Sequence, residues 1–486
     1  MPGNVLCVFG TGSDVGKSWI AAGLCRLFRQ DGVDVAPYKA QNMSNNAGVT
    51  PDGLELGRAQ IVQAHACGLV PTVDMNPLLL KPDSDTGAQV VALGRVLGTV
   101  SARDYFSGSM EDRRGLVTDA LDRLRARHAL VVAEGAGSCA EVNLRDRDLV
   151  NLPIAHHADG RVLLVADIDK GGVFAQVVGT LEVLSEQDRA RISGVVVNRF
   201  RGDASLFEDG RAWLEERTGV PVVGVVPWAH HIQIELEDGL SPSVTMDPPP
   251  PSGSGLRAAV IRLPHIANFT DFDALERHGV ELAYLQRPRD LAPYDVVFLP
   301  GTKNTRGDLA WLRDTGWDER LAAYGGQLFG LCGGYQMLGR WIDDPHGVEG
   351  EPGRTAGLGL LPVTTVMAAE KTTRRVTGTY GDVAVQGYEI HVGRTEVDGE
   401  PLLSLEGRPE GCRAGSVAGT YLHGLFDGDG VVEALLGPVR PELAWPRVPS
   451  HATWREAQLD ALADHLRGCL DVPLLRRLAG IAPPSP

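Results

Sequence analysis

Short apolar runs alternate with helical stretches along most of this chain. NVLCVFG, residues 4–10, is a nearly continuous apolar run. KSWIAAGLCRLFRQDG, residues 17–32, follows with apolar positions at helical spacing. VDVAPYK is another apolar run, and ALVVAEGAGS, RVLLVADID, ISGVVVNRF and PVVGVVP repeat one unit, an apolar run followed by a turn signal, glycine and acidic residues in the first two. Runs apolar on both faces and rich in β-branched residues predict strands of a parallel sheet covered on both sides. In such sheets, function gathers at the carboxyl ends of the strands.

The pattern recurs in the second half. AAVIRLP, ELAYLQ, DVVFLPG and GQLFGLCGG predict strands, and WLRDTGWDERLAAYGG a helix between two of them. Residues 364–420 are richer in β-branched residues and predict antiparallel pairing. WREAQLDALADHLRGCLD, near the end, predicts a helix. DPPPPSGSG, residues 247–255, interrupts the rhythm. Consecutive prolines make a semi-rigid spacer, and the Gly/Ser end adds flexibility. The predicted organisation is therefore α/β throughout. A doubly wound parallel sheet spans 1–246, a spacer 247–255, and a second α/β unit with a helical tail 256–486. No sequence repeat relates the halves.

Length supports two units, since 486 residues exceed what one core of about 250–300 residues holds. The 46 Lys and Arg against 62 Asp and Glu leave a net charge of −16. That opposes broad nucleic-acid binding, which depends on cations neutralising phosphates. Seven scattered cysteines with no CxxC pair predict a reducing compartment, with neither a disulfide framework nor a zinc site. The start, MPGNVLCVFG, has no basic segment and enters a strand at once. No apolar run approaches the ~20 residues a membrane helix needs. A cytoplasmic protein without membrane insertion is expected.

Two motifs carry chemistry. Gly10-Thr11-Gly12-Ser13-Asp14-Val15-Gly16-Lys17-Ser18 lies between a predicted strand and a predicted helix. It has the form of a phosphate loop, with one residue more than usual between its outer glycines. Its glycines let backbone N–H groups turn onto phosphate oxygens, and the helix N-terminus adds positive potential. Lys17 is expected to reach the outer phosphates of ATP, and Ser18 to ligate Mg²⁺. Gly330-Leu331-Cys332-Gly333-Gly334 has the spacing of a nucleophile elbow, whose small flanks allow a sharp strand-to-helix turn. The Gly333 N–H and the Pro300–Thr302 turn, through Gly301, are candidate oxyanion donors. His423, in GTYLHGLFD, is the candidate base and acid for Cys332. Many amidotransferases place a glutamate two residues after this histidine, where Leu425 stands here. The site is then a dyad or takes its orienting group from elsewhere. Glu389 and His391, in GYEIHVG, are candidates for that role and equally for a glutamine pocket.

Lysine is scarce, at six residues, and five of them sit in motif-like segments: Lys17, Lys39, Lys81, Lys170 and Lys303. The phosphate loop resembles that of dethiobiotin synthetase, GTxTxVGKT. That resemblance implies a lysine near the transferred phosphate, at Lys39, and a Mg²⁺-holding glutamate, at Glu134 in EGAG. A carboxylate at a strand end suits a hard cation that prefers oxygen. Asp167 and Asp169, in DIDKGG, and Gln41 and Asn42, in KAQNMS, are further candidates for substrate or metal contacts.

Across nearly the whole chain, the segments DGLELGRAQ, MNPLLLKP, EGAGSCAEVNLRDRDLVN, NRFRGD, LPHIANFTDFDAL, LPGTKNT, GLCGGYQMLG and YLHGLFD resemble the cobyric acid synthase family. That resemblance implies a dethiobiotin-synthetase-like N-terminal unit and a class I glutamine amidotransferase-like C-terminal unit. It also implies a corrinoid substrate, with glutamine as nitrogen donor and ATP with Mg²⁺ as driver. The related cobyrinic acid a,c-diamide synthases are the nearest alternative. A MinD- or ParA-like ATPase switch shares the loop type but needs neither Cys332 nor His423. It also usually carries a lysine early in the loop, where Thr11 and Gly12 stand.

Overall fold

The computed structural model describes residues 2–82, 87–101, 105, 109–235, 246–249 and 253–482. Residues 250–252 of the proline spacer, 236–245 before it and 83–86 after LLKP lie outside the described residues.

The first half builds a six-stranded sheet in which every pair is parallel. Its order is Val222–Pro227, Ile192–Phe200, Arg161–Asp167, Asn4–Gly10, Leu130–Glu134, Val35–Tyr38. Strand alternation serves both faces of this sheet. Val5, Cys7 and Phe9 enter one core, whereas Leu6 and Val8 enter the other. Asn4–Gly10 lies between two strands that come much later in the chain. Its carboxyl end is thus a switch point, flanked by Glu134 and Asp167.

Lys17–Gln30 follows the phosphate loop as a helix. Ile20, Leu24, Leu27 and Phe28 form its buried stripe. Its own first turn has no acidic side chain. Between Val35–Tyr38 and Leu130–Glu134, the chain inserts a small four-stranded sheet and the strand pair Ala47–Val49 and Glu55–Gly57. The helix Arg58–Cys67 follows that pair.

The second half builds another six-stranded sheet, in the order Glu281–Leu285, Arg257–Ile261, Val296–Leu299, Gln327–Leu331, Val417–Thr420, Cys412–Ala414. All its pairs are parallel except the last. The predicted antiparallel region contains the long hairpin of Val363–Tyr380 with Val383–Val397. Its end differs from expectation, because Val417–Thr420 joins the parallel sheet beside Gln327–Leu331. The helix expected over 311–326 is two helices, Thr305–Thr315 and Trp317–Ala323. Gly316, at φ 82°, takes a left-handed conformation and breaks the run.

The C-terminal helices also differ from expectation. By sequence position they belong with the second unit, but in space they complete the first. Leu459, Leu462, Ala463 and Leu466 of the helix His451–Cys469 enter the core of Ile20, Leu24 and Leu27. Arg26 donates to Asp460 at 2.7 Å and to Glu456 at 2.8 Å across this contact. The physical reason is the apolar stripe of the terminal helix, which Gly23 admits close to Lys17–Gln30, where Leu462 and Leu466 are buried.

The halves also meet through polar groups. Buried Glu55 of the first half accepts from Lys81 at 2.7 Å and from Lys371 of the long hairpin at 2.6 Å. Lys303 of the second half donates to Gln89 of the first. Lys81 and Lys303, prominent in the sequence, therefore serve this contact.

Candidate active sites

The phosphate loop sits at the switch point. Gly16 takes φ 93°, and a Cβ there would fall 2.2 Å from Asn198 Nδ2. Only glycine fits this turn. Asn198 holds the loop from below by donating to the Val15 carbonyl at 2.9 Å. Lys17 Nζ donates to the carbonyls of Gly12 at 2.8 Å and Gly137 at 3.0 Å. The ammonium is thus drawn across the loop mouth.

Glu134 is the hub. Its Oε1 accepts from Ser18 Oγ at 2.7 Å and from Lys39 Nζ at 2.9 Å. Its Oε2 accepts from Gln63 Nε2 at 2.6 Å. Burial raises a carboxyl's proton affinity, but Lys39, Ser18 and Gln63 outweigh it here and hold Glu134 below the usual carboxylate range. An ionised carboxylate beside a serine hydroxyl is a hard oxygen donor set of the kind Mg²⁺ prefers. Gln63 was not foreseen from the sequence. It lies in the GRAQIVQ stretch, four residues beyond the motif's alanine, and reads there as an ordinary helical polar residue.

A cavity of about 1150 Å³ opens from the loop. Gln41, Asn42, Lys39, Glu134 and Asp169 all line it. Asp167 does not, and its two oxygens are engaged by Arg199 at 3.0 Å and the Asp169 N–H at 2.7 Å. Asp169 pairs with Arg201, and Asp14 with Arg199 at 3.0 Å. The two aspartates of DIDKGG thus anchor an arginine-lined rim.

The second site lies at the carboxyl ends of three adjacent strands. Gln327–Leu331 delivers Cys332, Val296–Leu299 delivers the Pro300–Thr302 turn, and Val417–Thr420 delivers His423. Cys332 has φ 51° and ψ −109°, a strained conformation for a residue with a side chain. The Cys332 N–H is held by the Thr420 carbonyl at 2.8 Å. Gly333 begins the following helix and packs on Thr302. Gly301 faces the reactive pair: a Cβ there would lie 3.3 Å from His423 Cε1 and 3.6 Å from Cys332 Cβ.

The orienting group is Asp271, which was not foreseen from the sequence. Its Oδ2 lies 2.7 Å from His423 Nδ1, and its Oδ1 accepts the Gly424 N–H at 2.8 Å. Burial opposes a charge on His423. The Asp271 carboxylate and the neighbouring Cys332 sulfur outweigh that effect and push His423 up to about 10. Tyr388 stacks on the imidazole, with ring centroids 5.3 Å apart. Leu425 is buried in the core, and Asp271 reaches His423 from a turn far upstream in the chain. The available signal was a lone acid between two phenylalanines in NFTDFDAL.

Glu389 and His391 flank the site without orienting His423. Glu389 pairs with Arg374, and His391 Nε2 lies 3.9 Å from it. His391 Nδ1 meets the Gly393 carbonyl at 2.7 Å, and its ring stacks on Tyr421. Between them, the Ile390 carbonyl lies 3.7 Å from Cys332 Sγ. Gln41, Asn42, Asp167 and Asp169 thus belong to the nucleotide side, and Glu389 and His391 to the cysteine side.

These two units define a glutamine amidotransferase ligase with its own nucleotide-binding domain. Residues 6–242 match the CobQ/CobB/MinD/ParA nucleotide binding domain, and residues 257–431 match the CobB/CobQ-like glutamine amidotransferase domain. The chain is 52% identical to a cobyric acid synthase of Chlorobium phaeobacteroides (strain BS1), over 98% of this chain and 99% of that one. It is 50% identical to that of Chlorobaculum tepidum, over 98% of each, and 49% identical to that of Paracoccus denitrificans, over 98% and 100%. The chain belongs to the cobyric acid synthase family. Among the described residues, no helix is long and apolar enough to cross a membrane.

Proposed function

We propose that the protein amidates four peripheral carboxylates (b, d, e and g) of adenosylcobyrinic acid a,c-diamide, giving adenosylcobyric acid. Glutamine supplies the nitrogen and ATP drives each step. The observation that carries this reading is a Cys332–His423–Asp271 array and a Lys17–Ser18–Lys39–Glu134 phosphate site in one chain.

Cys332 attacks the side-chain carboxamide carbon of glutamine, and the carbon–nitrogen bond breaks. His423 delivers the proton that lets nitrogen leave as ammonia. N–H groups at Gly333 and Gly301 stabilise the oxyanion that forms at each attack. Water then opens the thioester and releases glutamate. At the other site, a substrate carboxylate takes the γ-phosphoryl group of ATP, leaving ADP. Ammonia attacks the acyl phosphate, and inorganic phosphate departs. The phosphoryl step needs alignment and charge neutralisation rather than covalent help. Backbone N–H groups of residues 10–18 cradle the phosphates, and Lys17 and Lys39 offset the charge on the transferring group. Ser18 and Glu134 would hold Mg²⁺, which supplies further positive charge to the phosphates. Gln41, Asn42 and Asp169 face the cavity on the substrate side.

The test is mass spectrometry of the corrinoid diamide incubated with glutamine, ATP and the protein. Four successive amide additions are expected. Conversion of cobyrinic acid only as far as its diamide would instead identify the sister activity. No corrinoid turnover with either substrate would refute the reading.

A further inference from the structure

Asp308 is 0% exposed, and the chemistry proposed above does not touch it. It lies in the first turn of the helix Thr305–Thr315. An acidic side chain suits the positive end of a helix, and there it ordinarily stands in solvent. Here it turns inward onto the Pro300–Thr302 turn, whose Gly301 faces Cys332 and His423. Both of its oxygens are engaged. Oδ2 accepts from the Thr302 hydroxyl at 2.5 Å and from the His265 backbone N–H at 3.3 Å. Oδ1 lies 2.7 Å from His265 Nδ1. The Thr302 hydroxyl oxygen in turn accepts the Asn304 N–H at 3.1 Å.

Backbone bonds lace the same two segments together. The Lys303 N–H donates to the His265 carbonyl at 3.0 Å, and the Ala267 N–H to the Gly301 carbonyl at 2.9 Å. The second bond fixes the plane of the Gly301–Thr302 peptide. Glycine is permissive, so its own sterics do not set where the Gly301 N–H points. The fixed plane beside it does. Thr302 carries the effect to the other donor. Its hydroxyl bond to Asp308 fixes the side chain, whose methyl group packs on Gly333: a Cβ there would fall 2.6 Å from Thr302 Cγ2. The anchoring segment also runs on to the acid that orients His423. Asn268, next after Ala267, takes a left-handed φ of 51°, and its carbonyl accepts the Asp271 N–H at 3.0 Å. Asn268 Nδ2 lies 3.4 Å from His423 Nε2, and Asn268 Oδ1 accepts the Ala47 N–H at 3.0 Å. Residues 265–271 thus hold the turn at one end and supply Asp271 at the other.

We propose that Asp308 is a positioning residue for glutamine hydrolysis: through Thr302 and His265 it holds the Pro300–Thr302 turn so that Gly301 and Gly333 present their N–H groups to one oxyanion. The inference rests on the cysteine-site chemistry proposed above. Donors fixed before the reaction need no rearrangement when charge develops, which is what makes them effective. The carboxyl group itself does not meet glutamine. Its effect belongs to the transition state, and it appears in kcat rather than KM.

Three variants of the intact enzyme test it. Asp308→Asn alters the clamp, Thr302→Val removes its hydroxyl and keeps a methyl for Gly333, and Thr302→Ser keeps the hydroxyl. Two probes accompany glutamine hydrolysis. Glutamate γ-semialdehyde reports the hole, because the Cys332 sulfur adds to the aldehyde carbon and the former carbonyl oxygen sits where the oxyanion does. Iodoacetamide reports Cys332 alone, because the sulfur displaces iodide and no oxyanion forms. In Asp308→Asn and Thr302→Val, kcat should fall roughly 10- to 10²-fold, short of the loss of an oxyanion donor itself. KM should stay within about threefold. Inhibition by the semialdehyde should weaken by the same factor as kcat, and alkylation should keep the wild-type rate. Thr302→Ser should stay near wild type throughout. If Asp308→Asn does not fold, the two Thr302 variants decide. An unchanged kcat in Thr302→Val overturns the inference. So does a fall in kcat that leaves semialdehyde inhibition unchanged, or one matched by slower alkylation, which would place the defect at Cys332 and His423. A wild type that hydrolyses no glutamine would instead remove the proposed function, and the oxyanion with it.

Discussion

Asp271 and His423 lie 152 positions apart in the chain, yet Oδ2 of one is 2.7 Å from Nδ1 of the other. Nδ1 is thereby committed, and Nε2 is left for Cys332. The aspartate is itself held by the Gly424 N–H, so the imidazole is oriented through a carboxylate fixed at both oxygens. Cys332, His423 and Asp271 thus form a candidate triad whose third member comes from upstream.

Asp271→Asn keeps the shape of this contact and removes its charge. Glutamine hydrolysis should fall by roughly 10²- to 10⁴-fold, the range lost when acid–base catalysis fails. In the wild type, the carboxylate keeps His423 protonated up to about 10. Without it, burial dominates and lowers the histidine's proton affinity. The alkaline fall in glutaminase rate should therefore move to lower pH. A pH–rate profile that keeps its alkaline limb in place would separate Asp271 from the chemistry.

Cys332→Ser should abolish amidation from glutamine while leaving amidation from concentrated ammonium at alkaline pH, because the ATP site is separate. Steady-state rates with the two nitrogen donors check this. Glutamine-supported turnover near the wild-type rate would remove Cys332 from the mechanism.

Lys17→Ala should eliminate amidation with either donor and leave basal glutamine hydrolysis measurable. The ammonium now bonded to the Gly12 and Gly137 carbonyls is poised to reach phosphate oxygens instead. Ammonium-supported product at ordinary ATP concentrations would contradict this role.

Glu55→Gln should destabilise the whole molecule by about 3–5 kcal/mol, because it strands two buried ammonium groups. Burial already pushes Lys371 down to about 7 with Glu55 present. In the variant, burial acts on Lys371 without that carboxylate, so Lys371 binds its proton less tightly folded than unfolded. The unfolded state then binds more protons, so stability rises with pH. Thermal unfolding at pH 6 and pH 9 should show a larger deficit at the lower pH. A deficit independent of pH would mean that Lys371 does not change its protonation on folding.

Both sheets and both motif-bearing turns were legible in the sequence, because continuous β-branched runs and glycine-rich turns are local patterns. The residues that complete the sites were not. Leu425 stands where a common pattern places the acid, which leaves Glu389 and His391 as the local candidates, and the position of Asp271 depends on how a distant turn packs. Gln63 and Asn268 have no local signature, because an amide's role is decided by what lies opposite it. The terminal helix was assigned to its neighbour in sequence for the same reason. Amphipathicity shows that a face will be buried, but not against which partner.

That terminal helix has a consequence for how the protein is made. Synthesis runs from the N-terminus, so the phosphate loop and its helix emerge first. The terminal helix that packs on Gly23 and Arg26 emerges more than four hundred positions later. Until then that face of the first unit lacks its partner, while the second unit is being built from the intervening chain. The first unit is thus completed only after the second has been made, and a chain that stops near the proline spacer leaves it unfinished.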